Sequence, residues 1–137
     1  MLIVGYDDSA GARRALDLAI ELAQQLDDAI VLAFAAQPPG RQVGDEYQAH
    51  LAALQEHGEE IMGPAMARAE EAGVEVHQHV GSLRPVDLLI ELAEGHQARM
   101  IVVGTHGESP LRGAVLGSTP HKLLHLSRLP VLVVPEA

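Results

Sequence analysis

Apolar positions along this chain fall into short runs that alternate with longer stretches of helical spacing. Met1 to Asp7 begins apolar and stops at Asp7-Asp8-Ser9, the pattern of a buried strand that ends in a polar turn. Asp8 or Ser9 is placed to cap the helix that follows. There Ala12, Ala15, Leu16, Ala19, Leu22, Ala23 and Leu26 recur on one face, with Arg13, Arg14, Asp17, Glu21 and Gln24 opposite. Ala29 to Ala36 is short, apolar and bounded by Asp27-Asp28 and Gln37-Pro38-Pro39-Gly40, which predicts a second buried strand. Gln37 to Asp45 is polar and rich in proline and glycine, hence a surface loop. From Glu46 to Ala72 a rough helical period returns, interrupted by Gly63-Pro64. An interior proline removes a hydrogen bond and clashes with the preceding turn, at about 3 kcal/mol. One kinked helix and two shorter ones both fit this segment, and the kink is favoured.

Val74 to Val80 alternates, with Val74, Val76, Gln78 and Val80 on one face and Glu75, His77 and His79 on the other. That predicts an edge or half-exposed strand. Gly81-Ser82 turns the chain, and Val86 to Ala93 forms a short amphipathic helix opened by Pro85. Met100 to Val103 is a fourth strand, Thr119 to Ser127 a short helix, and Leu129 to Val134 a fifth strand ended by Pro135. The order β-α-β-α-β-α-β-α-β calls for a parallel sheet with helices on both faces. Ligands of such sheets sit beyond the carboxyl ends of the strands, where strand order reverses. Asp7, Ala35-Ala36 and Gly104 all fall at carboxyl ends.

Composition narrows the reading. The 137 residues fit a single domain, 1–137, and include one Phe, two Tyr and no Trp, so the core is small and aliphatic. With no cysteine, disulfides and thiolate metal sites are excluded. No apolar run is long enough to span a bilayer, and the amino-terminal run lacks a basic region before it reaches Asp7, so a soluble cytoplasmic protein is expected. A net charge of −10 without a Lys/Arg cluster argues against nucleic acid and anionic membrane as partners. An anionic ligand would need backbone dipoles and a metal ion to offset its charge.

The stretch from Val103 to Pro120 supplies such dipoles. A glycine-rich loop leaves a strand end and reaches Ser118-Thr119-Pro120, a helix-start signal in which Ser118 or Thr119 caps. Free N–H groups of the first helical turn favour an anion, and glycines let backbone approach a phosphate. Ser118, not lysine, directly follows Gly117, which excludes a Walker-type loop. The pair Asp7-Asp8 suggests a receiver domain. That fold needs an aspartate ending the third strand and a lysine ending the fifth, where Val80-Gly81 and Val134-Pro135 stand. The eight histidines include His121 and His125 four apart and His77 and His79 on one strand face, but no closed ligand set, so no metal site is assigned and solvent exposure is the reading. His106 lies in the loop and either contacts phosphate or faces solvent.

Gly104-x2-Gly107-x9-Gly117-Ser118 resembles the nucleotide-binding signature of the universal stress protein family, in its ATP-binding branch. Val4 to Ser9 resembles the family's first strand and aspartate turn, Ala15 to Ala19 its first helix, and His121 to Leu124 with Leu129 to Val134 its tail. The resemblance covers nearly the whole chain apart from the region around Gln37 to Gly58. It implies a three-layer α/β fold, adenine nucleotide alpha hydrolase-like, with an open five-stranded parallel sheet of order 3-2-1-4-5. It also implies ATP, with Mg2+, at the carboxyl edge. By position, Gly5, Tyr6 and Asp7 line the adenosine side, with Asp7 accepting from ribose hydroxyls, and Ala35 offers its backbone to adenine. Val103 and Gly104 lie beneath the nucleotide, and Gly107, Gly117, Ser118 and Thr119 hold the phosphates. A homodimer through the last strand, Val131 to Val134, is implied as well. Two positions depart from the family's pattern: Asp8 where glycine is common, and Glu108 where a basic residue is common. Both place negative charge near a polyphosphate, and Arg112 is the loop's single Lys/Arg. The function implied is a nucleotide-dependent regulatory module of the stress response. The alternatives are a slow ATP-hydrolysing enzyme, for which no residue has a compelling general-base placement, and a nucleotide-free dimeric interaction module.

Overall fold

The computed structural model describes residues 1–38, 44–106 and 116–136. Strands β1 (Leu2–Gly5), β2 (Ile30–Ala35), β3 (Val76–Gly81), β4 (Met100–Gly104) and β5 (Val131–Val134) alternate with helices α1 (Ala10–Leu26), α2 (Asp45–Glu71), α3 (Pro85–Gly95) and α4 (Ser118–Leu126). The strands form one parallel sheet in the order β3-β2-β1-β4-β5. The expected architecture and strand order are therefore observed. Order reverses between β1 and β4, the two strands that follow from opposite directions of winding.

Each helix takes its place from its apolar stripe. Ala12, Ala15, Ala19 and Ala23 turn to the sheet, and their small side chains bring α1 close to the central strands. Leu2 and Val4 from β1, Ile30 and Leu32 from β2 and Met62, Ala65 and Ala69 from α2 complete this layer. Alternate strand residues, Ile3, Val31, Ala33, Ile101 and Val103, face the opposite way and pack against Val86, Leu88, Leu89 and Ala93 of α3 and Leu123 of α4. The central strands are closed off from water, whereas β3 sits at one edge with His77, Gln78 and His79 exposed. Among the described residues no helix is long and apolar enough to cross a membrane.

Three details of the helices sharpen or correct the expectations. Ser9, rather than Asp8, caps α1, its Oγ accepting from Ala12 N–H at 3.2 Å. Helix α2 runs as one continuous helix with Pro64 inside it, so the two-helix alternative is excluded. At α4 the cap is Gly117, with extended backbone and no side-chain hydrogen bond, and Ser118 and Thr119 are already helical. The cap lies one residue earlier than expected because proline is accepted anywhere in a first turn whose N–H groups have no intrahelical partner.

Candidate functional site

A cleft of about 300 Å³ opens at the carboxyl edge, over the point where β1 and β4 diverge. Its floor is made by the ends of these strands. Gly5 ends β1, and a Cβ there would lie 3.1 Å from Val103 Cγ1 and 3.4 Å from Leu89 Cδ1, so glycine lets α3 close over the strand ends. Gly104 ends β4 against the start of α1. A Cβ on Gly104 would come within 2.7 Å of the Gly11 carbonyl carbon, and a Cβ on Gly11 within 2.8 Å of the His106 carbonyl oxygen. Backbone meets backbone here, a contact only glycine permits.

The far wall is the first turn of α4. Gly117 N–H donates to the Thr105 carbonyl at 2.8 Å, and Thr105 N–H to the Val134 carbonyl at 3.2 Å. A Cβ on Gly117 would stand 2.9 Å from the Thr105 oxygen. The glycines of the loop signature that can be described thus fix where the loop leaves the sheet and where it rejoins a helix. Thr119 and Pro120 line the cleft, whereas Gly117, half-buried, and Ser118, exposed, are not among its lining residues. Gly107, with Glu108 and Arg112, lies outside the described residues.

On the β2 side, Ala33 C=O accepts from Tyr6 N–H at 2.9 Å and Ala36 N–H donates to Gly81 C=O at 2.7 Å. Polar groups of alternate strand residues point the same way, so Ala35 directs its N–H and C=O to the side on which β1 has already ended. Ala35 lines the cleft there, beside Phe34. Phe34 is held from behind by α2, where a Cβ on Gly58 would meet its ring at 2.5 Å and His57 approaches it edge-on with ring centroids 5.9 Å apart.

The two adjacent aspartates separate. Asp7 lines the cleft, one carboxylate oxygen accepting from Ser9 N–H at 3.1 Å, and so serves the turn as well as the cleft. Asp8 is not among the lining residues; its backbone is left-handed, φ 64°, which glycine, asparagine and aspartate accept most readily. Asp8 Oδ1 accepts from Tyr6 Oη at 3.0 Å and Arg13 Nε at 2.9 Å. The Arg13 hydrogen bond, supported by Tyr6, holds the Asp8 carboxyl below the usual carboxylate range, while burial and the neighbouring Asp8 push the Tyr6 hydroxyl up. The extra charge expected near the ligand is therefore directed out of the cleft and paired with Arg13.

Seven of the nucleotide-site residues expected from sequence, Gly5, Tyr6, Asp7, Ala35, Val103, Gly104 and Thr119, line this one cleft, and His106 lines it as well. Missing from that reading were Pro85, Leu88 and Leu89 of α3, which form its apolar wall, and Phe34. Pro85 at the first position of α3 was the one available signal, since a helix starting at the carboxyl edge places its first turns over the strand ends. Among the described residues, no group of three or more histidine, aspartate or glutamate side chains converges on a common metal position.

A doubly wound parallel sheet with a glycine-floored cleft at its switch point, bordered by helix starts, defines an α/β domain of the class whose ligands sit at that edge. The model of the universal stress protein family matches residues 1–135, and the chain belongs to that family. It is 33% identical to the universal stress protein Rv1636 of Mycobacterium tuberculosis over 143 aligned positions, covering 97% of this chain and 94% of the relative. With the universal stress protein MJ0531 of Methanocaldococcus jannaschii it shares 35% identity over 83 residues, 61% of this chain and about half, 49%, of the relative's length. The fold matches that of the universal stress protein UspA from Lactobacillus plantarum with a TM-score of 0.87, at 20% identity over 97% of this chain and 95% of the other. A universal stress protein solved in complex with cAMP is 28% identical, with a TM-score of 0.76, over 99% of this chain and 97% of that one.

Proposed function

We propose that this chain is a regulatory module that binds an adenine nucleotide, ATP with Mg2+, in the cytoplasm, and that occupancy alters loop order or dimer contacts. The observation that carries this reading is the cleft at the switch point, which gathers Gly5, Asp7, Ala35, Gly104 and Thr119 at one place. Its size is at the lower end of small-molecule pockets, which begin at about 300 Å³. Ala35 would present a backbone donor and acceptor to adenine and Asp7 would accept from the ribose. Thr119, with Ser118 and the N–H groups of the α4 first turn, would face the phosphates, and Gly107 and Gly117 complete the signature. The cAMP complex of the 28% identical relative supports the adenine class of ligand. Mg2+ here would be held by phosphate oxygens and water, since the described side chains form no cage of their own.

Titration calorimetry with ATP, ADP, AMP and cAMP, each with and without Mg2+, tests the proposal. Saturable heat is expected with ATP, and tighter binding with Mg2+ than without. Absence of heat and of any thermal shift with all four nucleotides would overturn it. In single-turnover assays with labelled ATP, hydrolysis no faster than in buffer is the expected result for a regulatory module.

A further inference from the structure

Eight histidines are spread along the chain, and the fold decides which of them can act together. His77 and His79 share a face of β3, but their rings lean to opposite ends of the strand. His77 Nε2 lies 3.6 Å from Glu75 Oε1, whereas His79 Nε2 is 3.2 Å from where a Cβ on Gly81 would stand. His57 is turned edge-on to Phe34. His121 and His125 converge instead, with ring centroids 5.0 Å apart and ring planes at 72°.

Helix α4 sets this pair. Residues four apart are neighbours on one helix face, and the residue midway between them lies on the opposite side. Here that residue is Leu123, fully buried against the sheet, so both histidines are exposed to water. Imidazoles that ligate one metal, each through a nitrogen about 2.0–2.1 Å from it, have centroids roughly 4.5–5.2 Å apart at bond angles from square to tetrahedral. The observed spacing falls inside that range.

We propose that His121 and His125 form a two-imidazole chelate on the outer face of α4 for a divalent transition metal, Cu2+ before Ni2+ or Zn2+, with water completing the coordination. Imidazole donors suit these three ions, and Cu2+ stands highest in the first-row order. Magnesium and calcium take oxygen ligands and are not held here. One helix face presents both rings, so the second coordination is intramolecular and multiplies the affinity of a single imidazole by up to about 100-fold, less what is spent in ordering two exposed side chains. The net charge of −10 draws cations to the chain and offsets Lys122 beside the pair. Neither histidine lines the cleft, so the chelate is independent of the nucleotide reading.

The experiment is calorimetric titration of Cu2+ into the full chain without an affinity tag, alone and in the presence of excess Mg2+. It compares wild type, His121→Ala, His125→Ala, the double variant, and His125→Ala combined with Leu126→His. The last keeps the number of histidines but turns the second ring about 140° away from the first around the helix. Leu126 is 60% exposed, so the helix accepts the exchange. Wild type is expected to bind one Cu2+ per chain at least about 10-fold more tightly than either single variant. The double variant should bind no more weakly than the singles, the relocated histidine should restore nothing, and Mg2+ should leave Cu2+ binding unchanged. Tight binding that survives either single substitution, or that the relocated histidine restores, or that Mg2+ displaces, would overturn the proposal.

Discussion

Asp28 shows how much a single carboxylate does away from the cleft. It lies two residues before β2 with its side chain 18% exposed, and it accepts from the Met1 α-ammonium at 2.9 Å, Ala29 N–H at 2.8 Å and Arg99 Nε at 3.2 Å. The α-ammonium above all, with Ala29 N–H and Arg99, holds this carboxyl below the usual range. A depressed carboxylate contributes stability that is full above the unfolded value of about 3.9 and is lost as pH falls through the folded value. Asp28→Asn is therefore expected to cost about 2 kcal/mol at neutral pH, by the strength of hydrogen bonds to charged groups. The deficit should shrink toward zero in acid, as urea unfolding at pH 7 and pH 3 would record. A deficit unchanged between the two would refute the linkage. Residue chemistry of this kind is poorly legible in sequence. Asp27-Asp28 read only as the boundary of a strand, and Asp8 read as unwelcome charge. The sign of φ at Asp8 and the reach of Arg13, five residues on, decide its direction, and neither follows from residue type alone.

Helix α2 carries the clearest contrast at the scale of elements. It spans 27 residues, and its buried positions are Gly58, at its midpoint, and Met62, Ala65 and Ala69 in its second half. Glycine at 63 and proline at 64 both oppose a helix by propensity, yet packing of that half carries the helix through them. A Cβ on Gly63 would meet nothing within 4 Å beyond its chain neighbours, but one of these is Pro64, whose Cδ crowds a preceding Cβ in helical backbone. Gly63→Ala should thus lower stability, visible as a lower urea midpoint with unchanged slope. A higher midpoint would mean that the helix propensity of alanine outweighs this clash. Periodicity located this helix well because its stripe survives the interruption. It placed the start of α4 one residue late, because a glycine cap leaves no side-chain signature and Ser118-Thr119 offers a decoy.

At the scale of the molecule, alternation of strands and helices was enough to anticipate a parallel sheet and the edge at which ligands gather. Strand order came from the family resemblance: alternation marked β3 as an edge or half-exposed strand, but the apolar runs of the other four strands read alike in sequence. The walls of the cleft contributed by α3 were not legible, because Leu88 and Leu89 are ordinary core positions until the helix is docked. The same architecture leaves β5 at an edge. Pro130 and Val134 offer their carbonyls to Ile101 and Thr105 of the β4 side, so Val131 and Val133 point their backbone groups outward. If the chain dimerises through this strand, as proposed from the family pattern, Val133→Pro should convert dimer to monomer without breaking the β4 ladder. Sedimentation velocity would detect the change, and a dimer that persists would place the interface elsewhere.

The direct meeting of Gly11 with Gly104 has a mechanical consequence. With no side chain between them to act as a cushion, the beginning of α1 and the end of β4 behave as one welded corner, and His106 hangs from it. A guest that tightens the Asp7 turn must pull on the exit of β4 as well, so the two are sensed together rather than in sequence. Breathing that admits a guest then falls to the sides away from this corner, those built by α3, by the first turn of α4 and by Phe34 and Ala35 of β2. The cleft is thus a jaw with one fixed side, and the glycine pair is what fixes it.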